Sequence, residues 1–96
     1  MGSVGSMKRM QILFSGWVQG VGFRYTVCRI AASFNVAGWV RNLANGEVEV
    51  VAEGFEQELV DFLHAIKDSS LGRHITREQL RWETATGEYE TFRILN

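Results

Sequence analysis

Between residues 16 and 24 the chain reads Gly16-Trp17-Val18-Gln19-Gly20-Val21-Gly22-Phe23-Arg24. Glycine reaches positive φ without steric cost and puts no Cβ between a ligand and the main chain, so a glycine-studded turn can aim successive N–H groups into one concavity. Such a turn binds anions. Where it opens a helix, the unpaired first-turn amides and the positive end of the helix dipole add to the field, and an arginine supplies a planar fork suited to two phosphate oxygens. The residue types point to a phosphoryl group. Arg24 is otherwise badly placed, because a cation at the positive end of a helix is unfavourable unless an anion accompanies it.

A second segment, Gly38-Trp39-Val40-Arg41-Asn42, supplies what a phosphate cradle alone lacks. Strand alternation sends Val40 and Asn42 to one face and Trp39 and Arg41 to the other. A carboxamide on the face of Asn42 can orient a water. The remaining reactive residue types carry no such pattern. Cys28, one helical turn after Arg24, reads as a buried small hydrophobe, and His64 and His74 are too isolated to form a metal site or an acid-base pair.

The elements that hold these residues follow from apolar spacing. Met10, Ile12 and Phe14 alternate as a strand. Phe23, Val27, Ile30, Ala31 and Phe34 recur at helical spacing, which predicts a helix from Phe23 to about Phe34. The runs Val36 to Leu43 and Glu47 to Ala52 are strand-like, and Asn45-Gly46 between them is a strong hairpin signal. After Gly54, the residues Leu59, Phe62, Leu63 and Ile66 describe a second amphipathic helix, with Glu56 and Glu58 near its positive end and Lys67 near its negative end. Asp68 to Gln79 reads as a polar loop, Leu80 to Thr84 as a fourth strand, and Tyr89 to Leu95 as a short fifth strand at the sheet edge. The order predicts an α+β fold, a ferredoxin-like βαββαβ sandwich whose antiparallel sheet carries two helices on one face. Glu47, Glu49 and Glu53 read as a solvated strand face.

At 96 residues and 46% hydrophobic content, the chain suffices for one packed domain. Residues 1–7 read as a disordered, tag-like lead and residues 8–96 as that domain. A net charge of -1 argues against a nucleic-acid partner held by long-range attraction. The one cysteine suits a reducing cytoplasm, and no run is long and apolar enough to predict a membrane span. An RNA-binding module shares the βαββαβ order but needs aromatic residues on its central strands. The third strand here offers glutamate and valine.

The two segments together resemble the acylphosphatase family, whose hallmarks are a Gly-x-Val-Gln-Gly-Val-Gly-Phe-Arg loop and a Gly-Trp-Val-Arg-Asn strand entering a hairpin. Both stand here without a gap, at residues 16–24 and 38–42. The resemblance implies hydrolysis of the carboxyl-phosphate bond of acyl phosphates. It casts Arg24 as phosphate-binding and catalytic, Asn42 as orienting the attacking water, and the backbone amides of Gln19, Gly20, Val21, Gly22 and Phe23 as the phosphate cradle. It implies no cofactor and no metal. The implied partners are a small acyl phosphate and inorganic phosphate, as product and inhibitor, with no nucleic acid, no membrane and a monomeric state. A related expectation is an acylphosphatase-like module of a larger maturation protein, where zinc-finger-like cysteines usually follow. None follows in this sequence.

Overall fold

The computed structural model describes residues 7–96. Strand β1 (Met7–Gly16) runs into the glycine-rich loop and helix α1 (Phe23–Ala31) leads out of it. Strands β2 (Ala37–Asn42) and β3 (Val48–Phe55) form the hairpin, and helix α2 (Glu56–Asp68) follows. A 3-10 turn at Ser70–His74 precedes strand β4 (Ile75–Thr84) and a short β5 (Phe92–Ile94). The single sheet has the order β4-β1-β3-β2-β5. The chain thus adopts the expected ferredoxin-like α+β fold. Its sheet is mixed rather than wholly antiparallel, because β5 runs parallel to β2.

Alternation along the strands decides which side chains face the helices. Met10, Ile12, Phe14, Val40, Val48, Val50 and Ala52 face the helices and form one core with Val27, Ala31, Leu59, Phe62 and Ile66. Phe62 sits at the centre of an aromatic cluster, its ring centroid 6.0 Å from Phe34 and 5.5 Å from Phe92. None of the helices among the described residues is long and apolar enough to cross a membrane.

Several boundaries differ from the sequence-based expectation, each for a physical reason. Helix α1 ends at Ala31 rather than near Phe34, because the chain tightens into short-range bonds from Ser33 N–H to the Ile30 carbonyl and from Phe34 N–H to the Ala31 carbonyl. That tightening turns the Phe34 ring onto Phe62. The expected polar loop from Asp68 to Gln79 is mostly regular structure: β4 already begins at Ile75, paired with a β1 that extends to Gly16. An edge strand has only one neighbour, so Thr76, Arg77, Glu78 and Gln79 show no apolar alternation. Residues 1–6 of the expected lead lie outside the described residues, and Met7 pairs with Phe55 as the first residue of β1.

The expected solvated row of glutamates is corrected most sharply. Glu49 and Glu53 are 7% and 3% exposed, on the sheet face away from the helices. Glu49 accepts from Gln11 and from Arg41. Glu53 accepts from Arg9 Nε at 2.9 Å, from the Thr86 and Gly87 N–H groups at 2.9 Å each, and from the Thr86 hydroxyl at 3.2 Å. Residues 85–91 must cross this face, since β4 and β5 lie at opposite edges of the sheet. The crossing passes Arg9, Glu53 and then Trp39, whose indole N–H donates to the Tyr89 hydroxyl. Burial acts against ionisation of Glu53, but the Thr86 N–H, Arg9 and the Gly87 N–H together hold its carboxyl below the usual glutamate value of 4.5.

A depressed carboxyl pKa stabilises the fold fully above the unfolded value and loses that contribution as pH falls through the folded one. Glu53→Gln should therefore destabilise the protein by about 3 kcal/mol at pH 7, the usual cost of breaking a buried pair. The difference from wild type should shrink below about pH 4.5. Urea melts of both proteins between pH 3 and pH 7 read this directly, and a difference independent of pH would show that Glu53 is not the ionised anchor.

Candidate active site

Two side chains in the core fix the ends of the glycine-rich loop. Val18 is fully buried, and Phe23 packs its ring 5.3 Å from that of Phe14. The Trp17 N–H, one residue upstream, donates to the His74 carbonyl at 2.9 Å. Between these anchors Gly20 and Gly22 take φ values of +81° and +77°. A Cβ at either position would stand in open space, so it is the backbone conformation that demands glycine. Gly22 is the N-cap of α1 and its carbonyl accepts from the Thr26 N–H at 3.0 Å. No side chain caps the helix. Among the described residues the N–H groups of residues 19–25 donate to no protein acceptor.

A cavity of about 230 Å³ lies beside this loop, lined by Gly20, Gly22, Phe23 and Arg24 and, across the gap, by Asn42 at the end of β2. Five of the sequence-predicted site residues are thus brought together. The other two stand apart from the lining. Val21 packs against the core. Gln19 turns its side chain to the β2–β3 hairpin, where Nε2 donates to the Leu43 carbonyl at 2.7 Å and to the Glu47 carbonyl at 2.9 Å.

The structure adds Val18, Tyr25, Ile94 and Asn96 to the lining. Tyr25 follows Arg24 in the first turn and stands 63% exposed. Ile94 and Asn96 arrive through β5: its parallel register sets Val40 beside Ile94, which carries Asn96 level with Asn42. Arg24 Nη1 donates to Asn96 Oδ1 across 3.4 Å, and among the described residues no carboxylate side chain pairs with Arg24. The guanidinium keeps most of its donors for a ligand.

Arg41 points the other way, as alternation predicts, with Nε 2.8 Å from Glu49 and the guanidinium over the Trp39 ring. Burial raises the pKa of the Cys28 thiol, which packs against the core. A thiol so held is a poor nucleophile. Among the described residues no group of three or more His, Cys, Asp or Glu side chains is placed to hold a metal ion. The cavity therefore offers backbone N–H groups, one guanidinium, two carboxamides and a phenol.

Known proteins match this chain over nearly the whole of the fold. The acylphosphatase family model matches residues 10–94. The acylphosphatase of Moorella thermoacetica is 44% identical over 89 residues, covering 93% of this chain and 95% of its own. That of Caldanaerobacter subterraneus subsp. tengcongensis is 39% identical over 87 residues, covering 91% and 97%. The crystal structure of acylphosphatase from Bacillus subtilis superposes with a TM-score of 0.85 at 36% identity, over 93% of this chain and 99% of that one. With the loop, the strand and the cavity between them all in place, the chain belongs to the acylphosphatase family.

Proposed function

We propose that the protein hydrolyses acyl phosphates, R-CO-O-PO₃, to a carboxylate and inorganic phosphate. The observation that carries this reading is the convergence of Gly20, Gly22, Arg24 and Asn42 on one cavity next to a run of unpaired N–H groups. The phosphoryl group rests against the loop amides from Gln19 to Phe23, and the Arg24 guanidinium takes two of its oxygens. The Asn42 carboxamide holds a water in line with the departing carboxylate. As the water oxygen bonds to phosphorus, the bond from phosphorus to the acyl oxygen breaks, the carboxylate leaves with the electron pair, and both protons of the water stay with the product as dihydrogen phosphate. Phosphoryl transfer of this kind is driven by positioning and by donors aimed at the equatorial oxygens.

The leaving group narrows the substrate class. A carboxylate is a stable anion and needs no proton to depart, whereas the alkoxide from an alkyl phosphate does. Among the lining side chains none is a carboxylic acid, imidazole or ammonium, and the one group with a proton to give, the Tyr25 phenol, stands largely in solvent. The donor set thus suits mixed anhydrides and not simple alkyl esters. Every site residue comes from one chain, which suits a monomer, and the single Cys28 fits a cytoplasmic setting.

Purified protein should hydrolyse benzoyl phosphate in the presence of EDTA, with inorganic phosphate as a competitive inhibitor, and should leave an alkyl phosphate essentially intact. Equal rates on the two substrates would sink the proposed leaving-group requirement.

Removing one well-aimed donor usually costs about 10²- to 10³-fold in rate. Asn42→Ala should accordingly lower kcat by that factor while KM stays within about threefold, and Arg24→Ala should raise KM and lower kcat together. Steady-state kinetics on both variants checks this split, and activity within a factor of about two of wild type in either would refute that residue's role.

A further inference from the structure

The loop and the hairpin are each held together without help from the other. Val18 and Phe23 anchor the loop in the core. The hairpin is closed by Leu43 N–H to the Glu47 carbonyl at 2.8 Å and Gly46 N–H to the Leu43 carbonyl at 3.2 Å. Asn45 reinforces it by accepting from the Glu47 N–H and donating to the Glu47 carboxylate. Strand pairing sets Phe14 beside Val48 and Val48 beside Asn42, and Ser15 Oγ donates to the Glu47 carboxylate, so the base of the loop is tied to the hairpin; what these contacts leave open is how closely the loop beyond Val18 approaches Asn42. Among the described residues, the hydrogen bonds joining residues 17–22 to residues 42–48 are the two from Gln19 Nε2. They use both hydrogens of the carboxamide and land on carbonyls that already accept one hairpin bond each, filling second lone pairs. One of those carbonyls belongs to Leu43, the residue after Asn42.

The geometry points to Gln19 as a positioning residue: its side chain is a strut that sets the separation between the phosphate-binding loop and Asn42, and so the line along which water meets phosphorus. Its side chain touches neither substrate nor water, while its backbone N–H belongs to the proposed phosphate cradle and is unchanged by substitution of the side chain. This inference rests on the proposed hydrolysis, in which the loop and Asn42 act on the two sides of one phosphorus atom. A displacement of about 1 Å at such a site costs on the order of 10²-fold in rate. The loop amides and Arg24, which hold the phosphate, stay on their own side of the strut when it is cut. Turnover should fall and phosphate affinity should hold.

Two variants separate this from a merely structural role. Gln19→Met keeps the length of the side chain and removes both hydrogen bonds, and kcat should drop about 10- to 100-fold, with the dissociation constant for inorganic phosphate within about threefold and little change in Tm. Gln19→Glu keeps the shape but turns a carboxylate towards two carbonyl oxygens. Its kcat should be lowest at neutral pH and should recover as the new carboxyl takes a proton and regains one donor, a rise towards low pH that wild type lacks. An NMR titration with inorganic phosphate gives a readout apart from turnover. The Gly20 and Gly22 amides should shift in wild type and in Gln19→Met alike, whereas the Asn42 side-chain amide should shift only in wild type. Unchanged kcat in both variants overturns the inference. So does phosphate affinity that falls in step with kcat, which would make Gln19 a support of the loop itself, and so does a loss of kcat in Gln19→Glu that no lowering of pH relieves. If wild type fails to hydrolyse benzoyl phosphate, the hydrolase reading fails, while the titration still reports whether Gln19 couples Asn42 to a phosphate in the loop.

Discussion

Backbone N–H groups need acceptors, and this fold leaves a contiguous run of them, residues 19–25, without any from the protein among the described residues. The usual remedy at the start of a helix is a serine, threonine, aspartate or asparagine at the N-cap, whose side-chain oxygen accepts from the first turn. Gly22 stands there instead, in a left-handed conformation at φ +77°. A capping side chain would occupy the space that an anion needs and satisfy the same donors permanently. Glycine leaves the acceptor to come from outside, and both ends of the loop are sunk in the core so that the donors hold their places while it is absent. In the proposed hydrolysis, Arg24 beside the amides and Asn42 across from them act on the anion that fills this deficit.

The far face of the sheet has a part in the same site. Strand β5 brings Ile94 and, two residues past its end, Asn96 to the cavity, yet it can lie beside β2 only if residues 85–91 cross from the β4 edge over β1 and β3. Glu53 makes that crossing possible by accepting two backbone N–H groups from the loop while Arg9 offsets its charge. The Gly38 N–H then receives the chain on the other side by donating to the Thr91 carbonyl, and the Leu95 N–H donates to the Val40 carbonyl. A buried carboxylate on one face of the sheet thereby governs whether Asn96 reaches Arg24 on the other. The link is mechanical, through one short strand with little burial of its own.

Legibility in the sequence followed the physics of each residue. Glycines at 20 and 22, the arginine after them and the asparagine two residues past Val40 were readable because their demands are local: positive φ, a helix start, strand parity. The core was readable because alternation and helical spacing report burial directly. The first half of β4 was not, since an edge strand paired on one side needs no apolar stripe. Nor were the buried glutamates, because charge predicts solvation until partners from remote segments are known, and Arg9 and Thr86 lie 44 and 33 residues from Glu53. Gln19 was legible as part of the loop, but its bonds to the hairpin were not, since its acceptors are main-chain carbonyls that no residue type announces. Asn96 depended on a parallel register that only the crossing creates.

A protein of net charge -1 with eleven acidic residues is not an obvious host for a phosphate dianion. The distribution of the charges resolves this. Glu49, Glu53, Glu56, Glu78 and Glu88 are each in an ion pair with Arg41, Arg9, Lys8, Lys67 and again Arg9. Unpaired surface acids farther away than the Debye length of about 8 Å are screened at physiological salt. In the proposed reading, an anion touching Arg24 would lie inside that distance and would experience the guanidinium, the helix dipole and the amides far more strongly than the distant surplus. On that reading, contact donors and not net charge would decide affinity for an anion, and such a site can operate on an acidic surface so long as no carboxylate side chain enters its lining, a condition the cavity meets.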